Sequence, residues 1–315
     1  NLGRDKGAGN PANPHGHRTS YLWERVWQRD AWLDLLARFV HVEKDSLGAK
    51  VPGRVVFPRF HQWDAVLALE AAAKAEGAGH RYLVQHSAGS GKSNTIAWLA
   101  HRLSNLHDHD DRKVFDKVVV ITDRVVLDRQ LQETIGSFEH AQGVVERIDA
   151  GSRQLADALA GEQARIVITT LQKFGFVLDK VTDLPERSYA VIVDEAHSSQ
   201  TGEAAKELRR VLGAPDPDRE PDSDRGDDPD PDLSPATIDD ALARAVAARG
   251  RQPNLSYFAF TATPKGKTLE LFGRYDQESK RHEPFHLYSM RQAIEERFIE
   301  DVLASYTTYE TYFHL

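Results

Sequence analysis

Five short runs with almost no polar residues set the strongest constraint on how this chain can fold. They are Tyr82-Leu83-Val84, Val118-Val119-Val120-Ile121, Ile166-Val167-Ile168, Ala190-Val191-Ile192-Val193 and Tyr257-Phe258-Ala259-Phe260. A strand that is apolar on both sides must be covered on both faces. Helical periodicity falls between several of the runs, with Ile96, Leu99, Leu103 and Leu106 on one side of one such stretch. That alternation predicts an α/β fold: a parallel sheet with helices on both faces. Upstream, Leu22, Val26, Leu33, Leu36 and Val40 suit one or two amphipathic helices, and Trp63, Val66, Leu67 and Ala71 share a face of another.

The net charge of −8 is concentrated in one place. Positions 213–235 hold nine acidic residues against two arginines, which leaves the remainder close to neutral. The overall sign therefore does not exclude a polyanionic partner. This segment repeats Asp and Pro with little apolar content and predicts a disordered surface insertion, an acidic DNA mimic being the alternative. The chain has no cysteine, which excludes disulfides and thiolate metal sites and fits a reducing cytoplasm. No apolar run approaches the ~20 residues that span a bilayer, so no membrane partner is expected. The start lacks both Met and a secretion signal, and the end at Leu315 lacks a stop signal; together they read as an internal fragment of a longer protein.

Chemistry concentrates in His86-Ser87-Ala88-Gly89-Ser90-Gly91-Lys92-Ser93, between a predicted strand and a predicted helix. Phosphate binding needs backbone N–H groups turned into a concave loop, which glycines at 89 and 91 permit. The helix beginning near Lys92 adds its positive end. Lys92 offers a point charge to the β- and γ-phosphates, and Ser93 a hydroxyl for Mg²⁺. The usual pattern begins with Gly where this chain has His86; a glycine-rich turn without function is the bland reading. The fourth apolar run ends in Asp194-Glu195-Ala196-His197. Asp194 there is placed to hold Mg²⁺, and Glu195 to orient or deprotonate a water. A phosphate loop and a carboxylate pair together predict ATP hydrolysis, because nucleotide binding alone needs no second carboxylate.

These motifs resemble those of superfamily 2 helicases, with Asp194-Glu195-Ala196-His197 like motif II in its DEAH form and Thr261-Ala262-Thr263-Pro264 like motif III. Gln62, in Arg59-Phe60-His61-Gln62, resembles the glutamine that reads adenine in that superfamily. Val119-Val120-Ile121-Thr122-Asp123-Arg124 resembles motif Ia, and Ile168-Thr169-Thr170-Leu171-Gln172 a further DNA-backbone motif. The resemblance covers residues 58 to 265 and implies a P-loop NTPase with a RecA-like lobe, binding ATP and Mg²⁺ through Gln62, residues 87–93 and Asn94. It also implies coupling of the nucleotide through His197, Thr261 and Thr263. Phosphate-backbone contacts would come from Arg124, Thr169, Thr170 and Gln172, which position DNA without reading its sequence. A narrower resemblance, to restriction subunits of type I restriction enzymes, rests on Asn10 to Pro14, Arg38 to His41, Thr122 to Asp128 and four further stretches. These are Thr19-Ser20-Tyr21-Leu22-Trp23-Glu24, Gln85 to Asn94, Ala259 to Lys265, and Tyr288-Ser289-Met290-Arg291-Gln292-Ala293-Ile294-Glu295-Glu296. That family implies an ATP-driven motor on double-stranded DNA, working with modification and specificity subunits and joined to a nuclease.

On this reading residues 1–57 join a nuclease domain to the motor, 58–280 form the first motor lobe, and 281–315 begin the connection to a second. Another superfamily 2 helicase, a remodeller-like ATPase, a nucleotide-gated binding module without turnover and a small-molecule kinase remain alternatives. His107-Asp108-His109-Asp110-Asp111 has metal-ligand residue types but reads as a solvated turn. Tyr306 to Tyr312 reads as a β-prone packing segment rather than a base-stacking surface.

Overall fold

All five apolar runs lie in strands of a single seven-stranded sheet. The computed structural model describes residues 13, 15–42, 55–122, 131, 134–136, 144–148, 152–170, 173, 176, 177, 179, 180, 186–194 and 252–300. The sheet contains β3 (Arg81–His86), β4 (Lys117–Thr122), β5 (Val145–Arg147), β6 (Ile166–Thr170), β7 (Tyr189–Val193), β8 (Leu255–Thr261) and β11 (His286–Tyr288). Its order is β11-β3-β8-β7-β4-β6-β5, and every pairing is parallel. This is the RecA-like P-loop arrangement, with the strand before the phosphate loop separated from the carboxylate strand by one neighbour.

Strand alternation sorts the apolar runs onto two faces. Val118, Val120, Ala190, Ile192, Phe258 and Phe260 pack on one side, with α2 (Phe60–Glu76) and α3 (Lys92–Leu103). Val119, Ile121, Tyr189, Val191, Tyr257 and Ala259 pack on the other, with α4 (Ser152–Ala160) and α5 (Gly266–Phe272). Each fully buried Val, Ile or Phe stabilises by roughly 1.5–3 kcal/mol relative to exposure. Both faces are therefore needed, and both are filled.

The N-terminal segment joins the first face. A π-helical turn, Leu22–Val26, precedes α1 (Arg29–Arg38). The break at Trp27 and Gln28 shifts the helical register, so Val26, Leu35 and Phe39 are buried while Leu33 and Leu36 stay exposed, unlike the face expected from the sequence. The Arg102 side chain, itself buried, bonds Glu70 at 2.6 Å and Asp34 at 2.8 Å, tying α3 to α2 and α1. The Trp98 indole N–H donates to the Phe39 carbonyl at 2.9 Å. Two short hairpins complete the described elements: β1 (His41–Val42) with β2 (Val55–Val56), and β9 (Arg274–Asp276) with β10 (Arg281–Glu283).

A boundary is expected at residue 280. Chain beyond it returns as β11 to the edge of the main sheet, pairing with β3, and continues into α6 (Met290–Glu295). The expected insertion at 213–235 and the Tyr306–Tyr312 stretch lie outside the described residues. His107 to Asp111 forms a tight turn whose centre is the Asp108 carboxylate, which accepts from the backbone of Asp110 (2.8 Å) and Arg112 (2.9 Å). Among the described residues no helix is long and apolar enough to cross a membrane.

Candidate nucleotide site

The loop from Ser87 to Gly91 leaves the carboxyl end of β3 and enters α3. Gly89 and Gly91 both hold left-handed backbone, with φ of 74° and 78°, as the loop's curvature demands. Gly91 also has a steric reason to lack a side chain, because a Cβ there would lie 2.6 Å from the Gln62 amide nitrogen. Lys92 opens α3, is mostly buried, and reaches back to the Ser87 carbonyl at 3.4 Å. The Ser90 amide donates to that same carbonyl at 3.2 Å. Ser93 and Asn94 are half-buried in the first turn, and Ala88 is exposed.

The hydroxyls of Ser87 and Ser90 are buried and find no hydrogen-bond partner among the described residues. Orphaned buried hydroxyls in a cradle of left-handed glycines, beside a lysine at a helix N-terminus, suit a bound polyphosphate. The Ser87 amide is already engaged, donating to the Tyr288 carbonyl at 2.9 Å as the β3–β11 ladder runs on. Ser87 therefore offers its hydroxyl rather than its N–H.

Asp194 follows β7 directly and its amide donates to Ile121 at 2.9 Å. Register fixes its place. Val193 pairs with Ala259 on β8, and Phe260 pairs with Val84 on β3. The carboxylate and the phosphate loop thus share the carboxyl edge of the sheet with only β8 between them, about 10 Å across at the ordinary strand spacing. Thr261 ends β8 at that edge, and its hydroxyl accepts from the Thr263 amide at 3.3 Å in a local turn. Glu195, His197, Arg124 and Gln172 lie outside the described residues.

Two of the expected DNA contacts part company. Thr170, half-buried, ends β6 opposite Thr122 of β4 at the same edge. Thr169 points inward and is 1% exposed, so as placed here its hydroxyl does not reach a surface ligand. The alternation of a strand puts successive side chains on opposite faces, which separates the two hydroxyls.

The structure also shows what surrounds the loop, including His61 and His286, which motif reading passed over. Gln62 uses its amide nitrogen to bond the Gly91 carbonyl (2.9 Å) and its oxygen to accept from the Arg59 amide (2.9 Å). His61 bonds the Ser90 carbonyl at 3.1 Å through Nε2, and its ring stacks on Tyr288 at 3.8 Å. His86 is fully buried, with Nε2 2.9 Å from His286 Nδ1. His286 reaches Asp64 at 3.4 Å, and Asp64 meets Arg25 at 2.6 Å. Burial depresses the His61 pKa to about 4, and burial, reinforced by the neighbouring His286, His61 and Lys92, holds His86 well below the ordinary range. Both rings are neutral near pH 7. Burial alone would raise the Asp64 carboxyl, but the hydrogen bonds from His286 and Arg25 override it and leave the pKa lowered. The stretch containing Tyr288 was visible as family-like text, though nothing in it signalled contact with the loop.

Residues 61–215 match the family model for the SWI2/SNF2 ATPase. The HindI endonuclease subunit of a type I restriction enzyme from Haemophilus influenzae is 26% identical over 284 residues, covering 87% of this chain and 23% of that protein. A type I restriction endonuclease subunit from Methanocaldococcus jannaschii, MjaIXP, is 25% identical over 210 residues, covering 61% of this chain and 15% of that one. The chain thus spans less than a quarter of the length of either relative. Among solved structures, a nuclease-deletion mutant of the Type ISP restriction-modification enzyme LlaGI, in complex with a DNA substrate mimic, aligns with a TM-score of 0.44 and 16% identity. That alignment covers 79% of this chain and 22% of the other. The chain is similar to type I restriction endonuclease subunits, and the part that carries its Ser87–Ser93 loop matches the SWI2/SNF2 ATPase model.

Proposed function

We propose that this chain forms the ATP-binding motor lobe of a type I restriction enzyme, driving translocation along double-stranded DNA in the cytoplasm together with modification and specificity subunits. The observation that carries the proposal is the placement of the Ser87–Ser93 loop and Asp194 on one edge of the sheet, one strand apart. Mg-ATP, when bound, supplies a γ-phosphoryl group for transfer to water. Lys92 would set its ammonium against the phosphates, and the loop amides and the Ser87 and Ser90 hydroxyls would donate to phosphate oxygens. Ser93 and Asp194 would hold the Mg²⁺, and Glu195 would orient the attacking water and accept its proton. Thr261, Thr263 and His197 would pass the state of the site toward a DNA surface that includes Arg124, Thr170 and Gln172. The nuclease activity and partner subunits of the longer relatives belong to this same proposal.

The test compares two variants with the unaltered protein in nucleotide binding and DNA-stimulated hydrolysis. Lys92→Ala is expected to lose ATP binding and hydrolysis together. Glu195→Gln is expected to keep ATP binding while turnover falls by roughly 10²–10⁴-fold, the scale of general-base catalysis. Unchanged ATP affinity in Lys92→Ala, or ordinary hydrolysis in Glu195→Gln, would remove the residue from its role.

A further inference from the structure

Residues 286–299 meet the phosphate loop at three points, although His286 lies 200 positions from His86. Tyr288 accepts from the Ser87 amide (2.9 Å), His286 bonds His86 (2.9 Å), and Ile299 lies 3.2 Å from where a Cβ on Gly89 would sit. A fourth tie is indirect: the Tyr288 ring stacks on His61, which bonds the Ser90 carbonyl. The Phe298 ring meets His61 edge-on at 5.8 Å and lies 3.8 Å below the Arg59 guanidinium. The Tyr288 hydroxyl donates to Glu296 at 2.6 Å, closing the segment on itself.

The protons along the buried chain follow from its ends. The Asp64 carboxylate accepts only, so His286 presents Nε2–H to it. With Nε2 of His286 turned to Asp64, its Nδ1 is the atom that faces His86, whose Nε2–H can donate to it. A loop with two left-handed glycines is soft, and the glycine usual in place of His86 would give it no side-chain anchor.

We propose that His286 is a positioning residue for the nucleotide loop: it fixes His86 at the loop's entry against Asp64, while Tyr288 and His61 fix the far end at Ser90. β11 and the turn after α6 thereby act as a clamp, and whatever moves residues 286–299 changes the loop's fit for polyphosphate. The inference rests on the nucleotide reading above.

The experiment measures the Kd of a fluorescent ATP analogue with Mg²⁺, alongside the thermal unfolding midpoint without nucleotide. His286→Ala is expected to bind roughly tenfold more weakly, the scale of one or two buried hydrogen bonds. His286→Gln, whose amide presents a donor and an acceptor, is expected to recover most of the affinity at the same midpoint as the Ala variant. Should His286→Ala fail to fold, Asp64→Asn removes the carboxylate that orients His286, and binding weakened by at least about threefold is expected. Unchanged affinity in a folded His286→Ala or Asp64→Asn variant overturns the clamp, as does a Gln variant no better than Ala. If the unaltered protein and Lys92→Ala bind the analogue equally poorly, the nucleotide reading falls and takes the clamp with it.

Discussion

Gln62 shows what one side chain can be asked to do. Its amide has two donors and two lone pairs, and the Gly91 carbonyl and Arg59 amide occupy one of each. One N–H and one lone pair remain, which is the complement of adenine's N7 acceptor and N6 donor. Guanine places an acceptor where adenine places that donor. Gln62→Ala is therefore expected to bring ATP and GTP affinities together, erasing a discrimination of roughly 1–3 kcal/mol. Competition binding of the two nucleotides measures it, and equal ATP preference in both proteins would count against the adenine role. At this scale the sequence was legible where backbone geometry imposes a residue type, as at Gly89 and Gly91, which hold the left-handed conformation. It was opaque at His86, whose departure from the usual pattern makes sense only beside His286, a partner that no local pattern points to.

The central strands were legible because burial on both faces leaves no room for polar residues, and each such run became a strand of the main sheet. β5 and β11 escaped because they are three residues long at opposite edges and carry mixed residues such as His286 and Arg147. The apolar face of α1 was misassigned because the π-helical turn before it adds an offset that a uniform period of 3.6 residues does not anticipate. Packing within the sheet should be costly to disturb. Phe258 is fully buried, stacked on Tyr82 at 4.8 Å and set edge-on to Phe115 at 6.1 Å. Phe258→Ala is expected to destabilise by about 3–5 kcal/mol, a large share of a typical domain's stability. Denaturant unfolding followed by circular dichroism checks it, and a loss below about 1 kcal/mol would mean that the two rings do not share a tight core.

For the molecule as a whole, the buried histidines set a pH dependence with a definite sign. His61 and His86 are held neutral in the folded state and titrate normally when unfolded, so the unfolded chain binds more protons below the ordinary histidine pKa of 6.5. Their stabilising contribution is complete above that value and is lost as pH falls below it, for His61 by up to about 3 kcal/mol as pH passes 4. The unfolding midpoint should drop steadily between pH 6.5 and 4.5, and a flat profile would show that these rings are protonated in place. The strand order also dictates when the nucleotide loop first acquires walls. Both neighbours of β3 come from the last quarter of the chain, roughly 170 residues after β3 in the case of β8. At a synthesis rate of about 5–20 residues per second, β3 leaves the ribosome and waits on the order of ten to thirty seconds with both edges bare. A nascent chain of this kind is a natural client for a chaperone, and on the proposed reading a nucleotide could stabilise it only once translation has passed Tyr288.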